Sequence, residues 1–273
     1  MSAVENKSPI KSPVIELHNA TVTYQSKPAI WNVDYQIPEG KMVGVIGPNG
    51  SGKTTMLKAT MGLIPLSSGF AKLFGKDLEE VRHKIAYVPQ RSSVDWDFPA
   101  NVFDTVLMGR YRKHNLFSRT TKHDKEIAWD ALKKVHLESF AKRQIAQLSG
   151  GQQQRVFIAR ALAQQAELYL LDEPFAGVDA TTENTIINLL KEMNQEGKSI
   201  VVVHHDLNTV SKYFNWLVMM NTRLIASGPT EEIFTTQILQ NTYGGRLNIL
   251  SQVAELIGAK AHPMREKQKK NTK

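Results

Sequence analysis

The stretch Gly47-Pro48-Asn49-Gly50-Ser51-Gly52-Lys53-Thr54 constrains this chain more than any other, because an apolar run (42–46) leads into it and helix-forming residues (55–59) follow it. Strand, glycine-rich turn and helix in that order are the context in which G-x-x-x-x-G-K-[ST] builds a phosphate-binding loop. Glycine lets successive backbone N–H groups point inward without Cβ clashes, and a helix starting near Ser51 adds its unpaired amides and positive dipole end. Lys53 is then placed to reach the β- and γ-phosphates of a nucleotide. The Thr54 hydroxyl is placed to ligate Mg²⁺.

At 273 residues, with 41 % hydrophobic and 22 % charged residues, there is material for one large α/β domain or for a domain carrying an inserted subdomain. No window approaches the ~18 uninterrupted apolar residues of a membrane-spanning helix. Residues 1–13 are polar and rich in Pro, Ser and Lys, so they read as a disordered leader rather than a signal peptide, and the expectation is a protein kept in the cytosol. The absence of cysteine excludes disulfides, thiolate nucleophiles and Cys-ligated zinc or iron–sulfur clusters. Any metal must use oxygen or His ligands.

The net charge of +8 is uneven. Residues 258–273 carry six Lys/Arg against Glu266, and residues 109–125 carry Arg110, Arg112, Lys113, Arg119, Lys122 and Lys125 against Asp124. The remaining body is close to neutral, which weakens a nucleic-acid-binding reading. The tail reads as solvated and disordered, with attraction to an anionic membrane surface as the other reading.

Residues 14–24 alternate as a strand ending in Tyr24, a polar turn follows at 25–28, and residues 30–38 read as the hairpin partner. Tyr24 is either a half-buried strand aromatic or a surface on which a purine stacks. A helix is expected at 52–62, a turn at 67–69, a strand at 71–77, a short helix at 78–82, and a strand from Ile85 that Pro89 cuts off, leaving Gln90 at its end. Residues 91–166 change to helical periods and read as an inserted helical subdomain. Near its end Ser149-Gly150-Gly151-Gln152 stand at the start of a strong helix, which is an ordinary N-cap or a second set of free amides for an anion. The run 168–171 delivers Asp172 and Glu173 at a strand end. Side-chain alternation would send Asp172 toward a Mg²⁺ shell and Glu173 toward an attacking water. A helix at 181–195 precedes the buried strand 199–203, which ends in His204-His205-Asp206. Adjacent histidines on an extended chain face opposite ways and make a poor zinc chelate. Two last strands with an Asn221-Thr222 turn close the domain.

These motifs together resemble the ATP-binding subunits of ABC transporters, over about residues 14–248. Tyr24, the loop 47–54, Gln90, the signature Leu148-Ser149-Gly150-Gly151-Gln152, Asp172-Glu173, Asp179 and His205 stand in that family's order. The resemblance implies a P-loop NTPase core of the ABC ATPase type, with an antiparallel β subdomain and an inserted helical subdomain at about 91–166. The ATPase domain would span 14–250 and a basic tail 251–273. It further implies that Tyr24 stacks on adenine, and that Gly47, Pro48, Asn49, Gly50, Ser51, Gly52, Lys53, Thr54 and Thr55 hold ATP. Thr54, Gln90 and Asp172 would hold Mg²⁺. Glu173 would be the general base, with Gln90 sensing Mg²⁺ and water and His205 contacting the γ-phosphate. Two copies would sandwich two ATP molecules head to tail, with Ser149, Gly150, Gly151 and Gln152 of each closing on the other's nucleotide and Asp179 in the D-loop. One departure is His204, where many family members carry a small hydroxyl residue.

Residues 89–99 and Met108-Gly109-Arg110-Tyr111 resemble the branch serving manganese, zinc or iron importers that work with an extracytoplasmic metal-binding protein. The expected partners are therefore a second copy and a polytopic permease, at the cytoplasmic face of the membrane, with no nucleic acid. Another transport cargo, or a soluble ABC-type ATPase, is the competing reading. Residues 92–111 would receive short helices of the permease, with Trp96, Phe98 and Met108 either in that contact or in the subdomain's own core.

Overall fold

The computed structural model describes residues 13–111 and 120–244. The leader 1–12, the basic residues Arg112, Lys113 and Arg119, and everything from 245 onward lie outside the described residues, and the leader and tail expectations with them.

Strand β1 (Pro13–Tyr24) pairs antiparallel with β2 (Lys27–Pro38). The second strand begins earlier than the sequence suggests. Gln25 and Ser26 both adopt left-handed conformations (φ 44° and 72°), so a two-residue hairpin turn suffices and Tyr24 already pairs with Lys27. Next come β3 (Met42–Ile46), α1 (Lys53–Thr60) and β4 (Ser68–Leu73). The expected turn at 67–69 is largely strand: β4 pairs with β1 from Thr21↔Ser68 to Ile15↔Leu73, with a register shift between His18 and Thr21. Gly69 (φ 82°) presses so closely on that irregularity that a Cβ would lie 2.3 Å from His18 O. A glycine in a bulge has been read as a glycine in a turn. The three strands form one sheet in the order β2-β1-β4.

After α2 (Leu78–Val81) and β5 (Ile85–Val88) the chain runs through α3 (Val102–Leu107), α4 (Lys122–Lys134) and α5 (Gly150–Ala163), then β6 (Leu168–Asp172). Polar residues set the helix starts: Asn101 Oδ1 accepts from Asp104 N at 2.7 Å, and Thr121 with Asp124 forms a capping box. Arg110, expected in a basic surface segment, is buried. Its Nε donates to Asp124 Oδ1 at 3.0 Å and its Nη1 to Ala163 O at 2.7 Å, tying the end of α3 to α4 and α5. Hydrogen bonds from Thr121 and Arg110 hold the Asp124 carboxyl well below the usual carboxylate range.

The chain finishes with α6 (Ala180–Gln195), β7 (Ser199–Val203), α7 (Leu207–Tyr213), β8 (Trp216–Asn221), β9 (Arg223–Pro229), α8 (Thr230–Ile233) and α9 (Thr236–Tyr243). The larger sheet runs β5-β6-β7-β3-β8-β9, parallel except for β9. Every residue of β3, β6 and β7 is buried, because helices or the smaller sheet cover both faces, which is why these strands read as continuous apolar runs. One core cluster takes Met42, Ile46, Leu171 and Val202 with the residues of α3, α4 and α5. The other takes Val43, Val45, Leu170 and Val201 with β1, β2 and α1.

Gly44, at the centre of β3, is where that packing is tightest: a Cβ would lie 2.6 Å from Phe214 Cδ2 and 3.0 Å from Leu217 Cδ2. Both neighbours are core side chains with no free end to swing away. Gly44→Ala should therefore destabilise the fold by about 1–3 kcal/mol. Urea titration should show this as a lower midpoint at unchanged slope, and an unshifted midpoint would contradict the packing described.

Candidate active site

The parallel register brings four loops to one edge. Val45 pairs with Val203, Val203 with Asp172, and Leu171 with Val88, so the chain after β3, β7, β6 and β5 leaves the sheet on the same side. Those exits carry the glycine-rich loop, His204-His205, Asp172-Glu173 and Gln90.

The loop 47–52 lies against neighbours that leave no room for side chains at two points. A Cβ on Gly47 would sit 2.1 Å from Met220 O, and one on Gly52 2.5 Å from Ala29 O. Gly52 is left-handed (φ 93°) and N-caps α1, so the helix starts at Lys53 rather than near Ser51. The β8–β9 turn braces the loop from below: Thr222 N donates to Ser51 O at 2.9 Å, and Trp31 N donates to Thr222 O at 2.8 Å. That turn is a single left-handed residue, Thr222 (φ 62°), rather than the expected Asn221-Thr222 pair. Arg223 lies over the Trp31 ring at 4.0 Å and closes the brace.

Lys53 is buried and curls over the loop, donating from Nζ to Gly47 O and Pro48 O, both at 2.9 Å. Burial lowers its pKa, while the charges of Glu173 and Asp172 pull it back up. One ammonium thus sits at the mouth of a cradle of backbone amides.

Beside it, Thr54 Oγ1 donates to Asp172 Oδ1 at 2.9 Å. Asp172 is fully buried, and desolvation pushes its pKa up. Its Oδ2, like Ser51 Oγ, is buried and completes no hydrogen bond. A buried carboxylate oxygen with a spare lone pair, next to the Thr54 hydroxyl, is a hard, all-oxygen donor set. It fits Mg²⁺. The Tyr87 hydroxyl sits close enough to Asp172 for that charge, after burial, to push the phenol's pKa up.

Glu173 departs from the expected strand alternation. The strand ends at Asp172, and Glu173 adopts a left-handed conformation (φ 49°), so a backbone turn rather than the pleat separates the two acids. A non-glycine residue held there is strained locally. The turn delivers its carboxylate to Gln90, whose Nε2 donates to Glu173 Oε2 at 2.9 Å. The residues expected to hold the metal and to activate water are therefore joined: Thr54 to Asp172, and Gln90 to Glu173.

His204 is buried and His205 is exposed at the strand exit, but their rings lie only 5.9 Å apart: β7 ends at Val203, so the alternation that would send them opposite ways does not reach them. Among the described residues no group of three or more His, Cys, Asp or Glu is arranged to hold a metal ion. Tyr24 ends β1 with 49 % of its surface exposed, so it is not a core aromatic and has a face free for stacking.

Ser149, Gly150, Gly151 and Gln152 open α5. Ser149 Oγ accepts from Gln152 N, and Gln152 Oε1 accepts from Ser149 N at 2.9 Å. The Ser149 amide thus has a partner within the chain, as in an ordinary N-cap, and is not one of a free set. The amides of Gly150 and Gly151, in the first turn, have no intrahelical acceptor. Asp179 N-caps α6, accepting from Thr182 N and Thr182 Oγ1 at 2.9 Å each, which lowers its pKa.

Sequence reasoning missed Arg91. It donates to Gln153 Oε1 from Nε (3.2 Å) and Nη2 (3.0 Å), and a Cβ on Gly150 would meet its Cζ at 2.9 Å. The residue after Gln90 is thus clamped to the helix that Ser149 caps. The 62-residue separation hides the pairing from sequence. Trp96 packs edge-on against Phe157 (5.1 Å) and donates to Arg91 O, so it belongs to the core of the helical stretch. Met108 is half-buried, and Phe98 is 54 % exposed. Gln90, Arg91, Trp96 and Gly177 line a cavity of about 430 Å³ beside these residues.

Comparison with known proteins agrees with this geometry. Residues 30–176 match the family model described as ABC transporter. The chain is 55 % identical over 236 residues to the manganese transport system ATP-binding protein MntB of Bacillus subtilis, covering 86 % of this chain and 94 % of that protein. It is 51 % identical to the zinc transport system ATP-binding protein TroB of Treponema pallidum, covering 86 % and 88 %. Among solved structures, the dimeric bacterial ABC transporter cassette MJ0796 superposes with a TM-score of 0.68 at 33 % identity, covering 79 % of this chain and 98 % of that one. A phosphate cradle, a buried carboxylate at the next strand end but one and a capped signature helix, on a chain this similar to those relatives, belong to an ATPase: the chain is a member of the ABC transporter family of ATP-binding subunits.

Proposed function

We propose that this subunit hydrolyses MgATP to drive import of a divalent transition metal, manganese or zinc before iron, through a membrane permease. The observation that carries the chemistry is the pair of contacts Thr54–Asp172 and Gln90–Glu173 at the edge of one sheet. The cargo rests on the 55 % and 51 % identity to MntB and TroB. Among the described residues no helix is long and apolar enough to cross a membrane.

In this reading the amides of residues 49–54 and the Lys53 ammonium bind the β- and γ-phosphates, and Tyr24 stacks on adenine. Thr54 and Asp172, with Gln90, hold Mg²⁺, which when bound neutralises charge on the phosphate oxygens. Glu173 Oε2 takes a proton from the attacking water, held in place by Gln90, and His205 approaches the γ-phosphate from the neighbouring strand exit. The partner copy's signature segment supplies the free Gly150 and Gly151 amides across a head-to-tail dimer. The dimeric form of the MJ0796 cassette supports that arrangement. The segment around Phe98 and Tyr111, both exposed, is the surface offered to the permease at the cytoplasmic face, with an extracytoplasmic metal-binding protein on the far side.

Transport of radiolabelled manganese, zinc and iron in cells lacking the chain tests the cargo. Loss of manganese or zinc uptake supports the reading; intact uptake of all three points to another cargo. Lys53→Ala should lower ATP turnover by about 10²- to 10³-fold, because the backbone amides lack its full charge. Glu173→Gln should lower kcat by about 10²- to 10⁴-fold while leaving ATP binding intact, which single-turnover kinetics and equilibrium dialysis separate. Wild-type turnover in it removes Glu173 as the base. Tyr24→Ala should weaken ATP binding by about 1–3 kcal/mol and change kcat little; an unchanged Kd would leave Tyr24 without a role in adenine stacking.

A further inference from the structure

His204 is not explained by the mechanism, yet it is among the most enclosed polar side chains of the chain, 2 % exposed. Its backbone N donates to Val45 O in the strand that feeds the phosphate loop. Its ring lies 5.6 Å from Phe175, two residues after Glu173, and 5.4 and 6.0 Å from Phe214 and Tyr213. Only one ring nitrogen has a partner: Nε2 lies 2.7 Å from Thr209 Oγ1, while Nδ1 is buried without one.

Thr209 Oγ1 also donates to Asp206 O at 3.1 Å, an arrangement that the Nε2–H tautomer of His204 completes by donating to Thr209 Oγ1. Nε2–H to Thr209 Oγ1, then Thr209 O–H to Asp206 O, forms a short relay that ends on the residue after His205. Asp206 is held from its other side as well, with Oδ1 accepting from Asn208 N at 2.9 Å and Asn208 Nδ2 at 2.8 Å. Burial, reinforced by the neighbouring His205, lowers the His204 pKa to about 4, so the ring stays neutral and keeps one proton to donate.

We infer that His204 is a positioning residue for His205, bonded through Thr209 to the Asp206 backbone and packed on Phe175, so that the His205 exit is set relative to the Glu173 turn. His205 is exposed on a short link between β7 and α7, and its ring lies 5.9 Å from that of His204. The inference rests on the reading of His205 as the γ-phosphate contact.

Turnover, ATP affinity and melting temperature of the full-length chain test it. His204→Phe keeps the ring among its aromatic neighbours and removes the donor; Thr209→Val cuts the same relay from its half-exposed end. Each should lower kcat by about 10- to 10²-fold, the scale of a misplaced catalytic contact, with the Kd for ATP unchanged. Thr209→Ser should restore turnover to near wild type, and the His204→Phe/Thr209→Val double variant should be no slower than either single one. Wild-type kcat in folded Thr209→Val overturns the inference. So does a Thr209→Ser variant as slow as Thr209→Val, or a loss of kcat that tracks a fall in melting temperature and ATP affinity. Should His204→Phe fail to fold, the Thr209 variants decide alone. His205→Ala separates the two readings: slow turnover there with normal Thr209→Val overturns only the role of His204, whereas wild-type turnover there overturns both.

Discussion

Parallel strand pairing in step is the constraint on which the site depends. Because β5, β6, β7 and β3 run the same way and pair residue for residue, their carboxyl ends fall in one row, and the residues that follow need not be near one another in sequence to meet. Asp172 lies 118 residues from Thr54 and Glu173 lies 83 from Gln90, yet each pair is 2.9 Å apart. Parallel strands require both faces covered. The two core clusters, one facing the helices α3, α4 and α5 and one facing the smaller sheet, supply that cover. The site is therefore a rim of loops on a buried platform. A cavity of about 1140 Å³ lies at the opposite end of the sheet, near Met42, Asn194 and Thr230, away from the phosphate loop.

At that rim, burial and charge oppose each other. Desolvation raises the Asp172 pKa and lowers that of Lys53, so isolation would favour the neutral form of each; their mutual attraction works in the other direction. The Thr54 hydrogen bond steadies the ionised carboxylate further, since a donor to the charged form favours it. Asp172 Oδ2 is left buried at this rim without a donor.

The sequence made legible what depends on local pattern. The strand, loop and helix around Gly47–Thr54, the carboxylates after a buried strand, and the capped helix at Ser149 all follow from periodicity and residue type. What it hid was conformation and distant pairing. Gln25-Ser26 and Thr222 make tighter turns than their residue types suggest, with non-glycine residues at positive φ, Thr222 held there by its bonds to Ser51 and Trp31. Gly69 looked like a turn and is a bulge. Glu173 separates from Asp172 by a strained turn that no pattern of alternation encodes. Arg110 counted as a surface charge but is a buried tie among three helices, and Arg91 carried no signal of its bond to Gln153. The family resemblance supplied roles for residues, whereas the hydrogen bonds supplied the physical links between them.

Arg91 and Ser149 show how one copy is prepared for a second. The signature helix is finished within the chain as far as its own stability requires: Ser149 and Gln152 cap each other, and Gln153 is held by Arg91. That leaves the Gly150 and Gly151 amides as the part of the helix end with no intrahelical acceptor, Gly150 lying against the Arg91 guanidinium and Gly151 against Thr182. Arg91 follows Gln90 directly, and Gln90 is bonded to Glu173. The covalent step from Gln90 to Arg91 and the bonds Gln90–Glu173 and Arg91–Gln153 thus join the Glu173 turn to the start of helix α5.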